Sequence, residues 1–325
     1  MSRGAATADF LKAAGWGAGR AEVLAGDASA RRYWRLRRGA ESAVLMDADP
    51  ATGEATGPFL AVGGWLLAQG YSAPRILAAD EAAGFLLLED LGDDTFGAVL
   101  MRAPEREGLL IGATVGLLGD LHRKGPPPFL KAGDGAALGA LVGLLAETYC
   151  AGSEKARALP GLIAALFDQL AFLPPVVSLR DFHAGNLIWL PDRIGPARIG
   201  LLDFQDAFVT DRAYDLVSLL QDARRDTGPG VEAEAIRLYL GQTGVDGGRF
   251  GAIYALIGAQ RALRILAVFA RLAQAGKPQY LDLMPRVWGH LTRNLAHPAL
   301  ASLRRAVEDS VPEPTPERRA KWGAA

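Results

Sequence analysis

SLRDFHAGNLIWLP, residues 178–191, puts a polar loop between two apolar runs. LPPVV leads into it and LIWL closes it, and both runs read as buried strands. Between them stand Asp181, His183 and Asn186. A second acidic loop follows at LLDFQDA, where Asp203 ends the strand-like IGLLD, 22 residues after Asp181. The segments LIWLP and ARIGLLD form a two-stranded hairpin that returns the chain. Asp181, Asn186 and Asp203 are therefore expected to converge at one end of it. Asp and Asn commonly cap turns, which accounts for either loop residue alone. It does not account for all three in this order.

The surroundings of the loop set the plan of the chain. Residues 5–15 read as a short helix. Three strands follow within 21–48, then a helix opened by Pro58 and stopped at Gly70, then the strands RILAAD and GFLLLED. From about residue 93, helical periodicity dominates: 105–123, 134–150, 160–171, 213–223, 231–242, 250–275 and 281–294. The segment 176–206 is its one interruption. The expected fold is α+β and bilobal. A β-rich N-terminal lobe covers 1–90, a hinge lies near Glu89–Gly92, and a larger helical C-terminal lobe covers 91–310. The Pro-rich, charged stretch 311–325 is expected to be a loose tail.

Composition narrows the function. Half of the 325 residues are apolar and 22% are charged, which suits a sizeable core. A formal net charge of −1 gives no general pull toward nucleic acid or a membrane surface. The single cysteine excludes a disulfide framework and a Cys-based zinc site, and fits a reducing cytoplasm. The N-terminus has no apolar signal-peptide core. Apolar stretches such as 135–146 fall short of the roughly 20 residues that cross a bilayer.

Phosphoryl transfer from ATP needs a carboxylate to accept the proton of the attacking hydroxyl. It also needs oxygen ligands to hold Mg²⁺ across the phosphates. Asp, then Asn five residues on, then a second Asp after a short hairpin is the arrangement kinase-type enzymes use. On RDFHAGNL and LLDFQDAF the chain resembles the aminoglycoside phosphotransferase/choline kinase superfamily, which has the protein-kinase-like fold. The stretches GDASARRYWRL, VLMDADP, FLLLEDLGDDTF and QRALRILAVFARLAQAGKPQYLDLMPRVWGHL extend the resemblance over nearly the whole chain. Within the superfamily it is closest to the anomeric N-acetylmuramate/N-acetylglucosamine kinases. The resemblance implies that Asp181 is the catalytic base and that Asn186 and Asp203 bind Mg²⁺. It implies that Asp215 braces the catalytic loop, and that the backbone at Glu89–Leu91 meets the adenine. The histidine usual two residues before the catalytic Asp is replaced by Leu179.

Such kinases pair a lysine on the third strand with a glutamate on the next helix. Here the first 123 residues contain one lysine, Lys12, and Met46 stands at the strand position. The helix PFLAVGGWLLAQ has no acidic residue. An arginine is expected to take over, beside a turn (Gly26, Asp27, Ala28, Ser29) whose N–H groups cradle phosphates. Strand alternation puts Arg32 on the apolar face with Trp34 and Leu36, an odd place unless it meets an anion. Arg32 is thus the expected contact to the β- and γ-phosphates, while Arg31, Arg35 and Arg37 are assigned to the solvated face. A chain with both ion-pair partners missing also fits a nucleotide-binding pseudokinase. The complete Asp181, Asn186, Asp203 set opposes that.

From residue 226 onward 13 Lys+Arg stand against 9 Asp+Glu, so nothing favours a polycationic acceptor. Arg261 and Arg264 share a helix face and suit the lactyl carboxylate of N-acetylmuramate. His183, Gln205 and Asp206 complete the expected substrate contacts. The expectation is an ATP- and Mg²⁺-dependent kinase of the anomeric hydroxyl of N-acetylmuramate or N-acetylglucosamine, in cell-wall sugar recycling. It is expected to act as a cytoplasmic monomer on a small sugar, with no nucleic-acid or membrane partner. An aminoglycoside, choline or other small-molecule kinase is the alternative.

Overall fold

A computed structural model describes residues 2–24 and 31–323. The chain forms two compact units, Met1–Arg106 with Gly185–Asp206, and Glu107–Ala184 with Ala207–Ala325.

The first unit opens with α1 (Arg3–Ala13), β1 (Arg20–Leu24), β2 (Arg32–Arg38) and β3 (Glu41–Asp47). Next come α2 (Gly57–Ala68), β4 (Ile76–Asp80), β5 (Phe85–Glu89) and α3 (Phe96–Arg102). The strands form one antiparallel sheet in the order β1-β2-β3-β5-β4. The central strands AVLM and FLLL are continuous apolar runs because both faces of the sheet are covered at its middle. One face carries Leu36, Ala43, Leu45, Phe85 and Leu87, with Trp16 closing over them and Phe10 and Leu11 of α1 packed against them. The other face carries Tyr33, Arg35, Val44 and Leu88 and lines a cavity. Gly70 ends α2 at φ +86°, a left-handed conformation that glycine adopts freely.

The second unit runs through α4 (Glu107–Leu121), β6 (Lys131–Ala132), α5 (Gly135–Ala140), α6 (Leu159–Leu170) and β7 (Val176–Ser178). The helix expected over 134–150 breaks after α5 into a short 3₁₀ turn at Gly143–Ala146. The chain then returns to the first unit for the hairpin β8 (Leu187–Trp189) and β9 (Ile199–Leu201). It closes the second unit with β10 (Phe208–Thr210), α7 (Ala213–Leu220), α8 (Val231–Thr243), α9 (Gly247–Gln274), α10 (Met284–Leu295), α11 (Ala301–Ser310) and α12 (Pro316–Gly323).

This division differs from a single cut at residue 90. The backbone just past β5 pairs with the hairpin: the Trp189 N–H donates to Asp94 O at 2.7 Å, and Thr95 bridges Ile188. On the other side the Leu201 N–H donates to Ser72 O at 2.9 Å, and the Ser72 hydroxyl donates to Ala197 O at 2.6 Å. These bonds give the hairpin to the sheet-bearing unit.

Two other expectations need correction. The stretch 311–325 is not a loose tail over its described part. The Tyr149 hydroxyl donates to Pro312 O at 2.6 Å, and its ring lies 4.7 Å from that of Trp322 on α12. One apolar helix, α9, is also long enough to span a bilayer. It is a core helix: 78% of its most apolar window is buried within the protein, and it carries Arg261, Arg264 and Arg271.

Candidate active site

The hairpin holds Asn186 and Asp203 at one end. Leu187 pairs with Leu201, and one step further the Leu202 N–H donates to Asn186 O at 2.9 Å. Asp203 stands at φ +55°, a left-handed conformation that is uncommon for a residue with a Cβ and that Asp tolerates better than most. The Phe204 ring beside it is packed on α2, 4.8 Å from the Phe59 ring. Both Asn186 and Asp203 line the cavity on the pocket face of the sheet, together with Arg31, Tyr33, Arg35 and Phe59. The cavity measures about 330 Å³, within the range of small-molecule sites.

Its walls are braced by charge. Arg31 Nε lies 2.9 Å from Glu54 Oε2. Arg35 is 6% exposed and binds both Asp90, at 2.8 Å, and Asp93, at 2.7 Å. Burial alone would raise the Asp90 carboxyl. The Gly92 N–H and the Arg35 guanidinium outweigh it and hold Asp90 below the usual carboxylate range. Burial pushes the Tyr33 phenol up to about 12, with the Asp203 charge adding to it and Arg31 opposing. Glu89 and Leu91 line the same cavity. The Glu89 side chain is held by Arg75 at 3.1 Å and by Arg193 of the hairpin at 2.9 Å.

Arg32 is not on this wall. It faces the other side of the sheet, where it reaches Asp47 at 2.7 Å and lies 5.6 Å from the Trp34 ring. The alternation reading assigned one apolar face and one wet face to β2. Both faces are covered at the middle of the sheet; of the residues assigned to solvent, Arg31 and Arg35 line the cavity and Arg37 is exposed. Asp90 and Asp93 were missed as the partners of Arg35, although LEDLGDD carries three acidic residues just past β5. Gly26, Asp27, Ala28 and Ser29 lie outside the described residues.

The second unit carries Asp181 on its own loop. β7 leads into Leu179 and Arg180, and Arg180 takes φ +69°. Asp215, buried at the start of α7, grips this turn. Its Oδ2 accepts from the Leu179 N–H at 2.7 Å, and its Oδ1 accepts from the Arg180 N–H at 3.0 Å and the Ser178 hydroxyl at 2.7 Å. Burial raises the Asp215 carboxyl to about 6, against these bonds and the Arg261 charge. Half-buried Asp181 follows, its N–H donating to Leu179 O at 2.8 Å and its carbonyl accepting from the His183 N–H at 3.2 Å. Burial holds the His183 imidazole below its usual range. Arg224 adds to that, and Asp222 and Asp181 oppose it.

Burial also lowers the Arg264 guanidinium, with the charges of Arg180 and Arg261 adding and Asp181 opposing. Arg261 itself is bound to Arg180 O and to Ser218. The Gln205 amide donates to Asp203 Oδ1 at 2.7 Å, and Asp206 is exposed. Among the described residues no cluster of three or more His, Cys, Asp or Glu forms a metal cage. Asn186 and Asp203 offer two hard oxygen donors on one wall. That suits Mg²⁺, which takes few protein ligands and completes its shell with water and phosphate oxygens.

The description "Phosphotransferase enzyme family" matches residues 20–252. An N-acetylmuramate/N-acetylglucosamine kinase of Caulobacter vibrioides is 39% identical, over 96% of this chain and 98% of its own. A kinase of the same name from Pseudomonas aeruginosa is 34% identical, over 91% and 90%. Among solved structures, a choline/ethanolamine kinase family protein from Mesorhizobium loti overlays 95% of this chain and all of its own, with TM-score 0.61 and 18% identity. An aminoglycoside-3'-phosphotransferase of type VIII covers 77% and 97%, with TM-score 0.54 and 21% identity. These neighbours place the fold among the protein-kinase-like phosphotransferases. On the match across residues 20–252 and on relatives of this identity and coverage, the chain belongs to the phosphotransferase enzyme family.

Proposed function

We propose that the protein is an ATP-dependent kinase that phosphorylates the anomeric hydroxyl of N-acetylmuramate or N-acetylglucosamine in the cytoplasm. The observation that carries the chemistry is the cavity of about 330 Å³ that has Asn186 and Asp203 on its wall, with two arginines beside them. The names of the relatives supply the acceptor.

ATP is taken up by this cavity, its adenine against Val44, Leu88 and the backbone at Glu89–Leu91. Asn186 and Asp203 would hold Mg²⁺, which would supply positive charge to offset that of the phosphates. Arg31 stands on the cavity wall, where Arg32 does not, and supplies fixed positive charge to the phosphates. Asp181 accepts the proton of the sugar's anomeric hydroxyl. That oxygen forms its bond to the γ-phosphorus as the bond to the bridging oxygen breaks, releasing ADP and the sugar 1-phosphate. Neutral His183, with Arg264 and Asp206, contacts the sugar. General-base assistance of this kind is worth roughly 10²–10⁴-fold in rate.

Coupled ADP release with Mg-ATP tests this on N-acetylmuramate, N-acetylglucosamine, kanamycin and choline. Turnover is expected on the two N-acetyl sugars, falling at least a hundredfold in Asp181→Asn. Turnover confined to kanamycin or choline refutes the acceptor. ATP binding without turnover on any acceptor establishes the pseudokinase instead.

A further inference from the structure

Arg261 was expected at the sugar. The structure gives it a different set of partners. Its Nη1 donates to Arg180 O at 3.2 Å and its Nη2 to the Ser218 hydroxyl at 2.7 Å. Its guanidinium carbon lies 4.7 Å from the Tyr214 ring centroid, a cation–π distance. The Ser218 hydroxyl is itself 3.2 Å from Arg180 O. Both polar backbone groups of Arg180 are therefore held: the N–H by anionic Asp215, and the carbonyl by cationic Arg261 with Ser218.

The residue so held is strained. Arg180 sits at φ +69°, where a side chain with a Cβ pays a conformational penalty and persists only when its surroundings over-determine it. The carbonyl that Arg261 grips belongs to the peptide bond joining Arg180 to Asp181. Its plane sets where the Asp181 Cα, and so its carboxylate, stands. Charge-assisted bonds are the stronger class, and each charge complements its backbone group, the anion at the N–H and the cation at the C=O.

We infer that Arg261 is a positioning residue that holds the Arg180–Asp181 peptide from the long helix α9, and is not an acceptor-binding residue. Removing it lets the peptide turn, and Asp181 spends less time within reach of the hydroxyl. Binding of ATP, on the cavity of the other unit, is untouched. The inference rests on Asp181 being the base.

The test is steady-state kinetics of Arg261→Met, Arg261→Lys and Ser218→Ala, with Asp181→Asn alongside and folding checked by circular dichroism. In Arg261→Met, kcat is expected to fall at least tenfold, with KM for ATP and for the sugar within twofold of wild type. Arg261→Lys keeps the charge but not the fork, and should recover part of kcat. Adding Ser218→Ala to Arg261→Met should cost less than it costs alone, because both hold one carbonyl. A rise in sugar KM with kcat retained overturns the inference and returns Arg261 to the sugar. Wild-type kinetics in either Arg261 variant also overturns it, and if Arg261→Met does not fold, Arg261→Lys decides alone. Full activity in Asp181→Asn instead refutes the base assignment beneath it.

Discussion

Arg31 and Arg32 are neighbours in sequence and serve opposite faces of one sheet. Arg31 lies on the cavity wall against Glu54, whereas Arg32 is exposed and pairs with Asp47. A pair with so exposed a partner is worth about 0–1 kcal/mol, so Arg32→Met should leave stability and the KM for ATP nearly unchanged. Arg31→Met should raise that KM at least tenfold, and nucleotide titration separates the two. Asp215 makes a second residue-scale prediction, in pH. Its folded value, raised to about 6, lies above its unfolded one, so the folded state binds the extra proton between about pH 4 and 6. Its contribution to stability is therefore largest below pH 4 and declines as pH rises to 6. Activity runs the other way. Protonation turns an oxygen that accepts a backbone N–H into a donor, so kcat should fall as pH drops through about 6. A pH–rate profile of kcat flat down to pH 5 would sink this.

At the scale of elements, α2 seats the loop that carries Asp203. A Cβ at Gly63 would lie 3.2 Å from two Phe204 ring carbons, closer than such contacts normally run. The glycine lets the helix approach the ring that follows Asp203. Gly63→Val overfills that contact, at a cost of about 1–3 kcal/mol by the usual scale of overpacking. The displaced ring carries Asp203 with it. Both the midpoint of thermal unfolding and the affinity for Mg²⁺ should fall, which calorimetry and magnesium-dependent kinetics check. The hairpin shows the same dependence. Its strands have three residues each, too few to stand alone, and Ser72, Asp94 and Arg193 tie it to the sheet-bearing unit.

At the scale of the whole molecule, the C-terminal stretch is part of the packing. Ending the chain after Ser310 removes the Pro312 carbonyl from the Tyr149 hydroxyl and Trp322 from its ring. One hydrogen bond of about 1 kcal/mol and an aromatic contact of similar size predict a loss of about 2 kcal/mol in denaturant unfolding. The sequence alone carried the order of the elements, because apolar period and Gly–Pro punctuation are local signals. It carried Asn186 and Asp203 as a pair on one cavity wall, because their spacing spans one hairpin. It carried the family too, because the motif residues are contiguous. Only the tertiary structure decided which face of β2 meets the cavity, since alternation distinguishes two faces but does not say what covers each. Arg35 with Asp90 and Asp93, and Arg261 with Arg180, were likewise invisible, being 55, 58 and 81 positions apart. Ion pairs and backbone clamps at such separations exist only once the chain has closed on itself, so no local pattern records them.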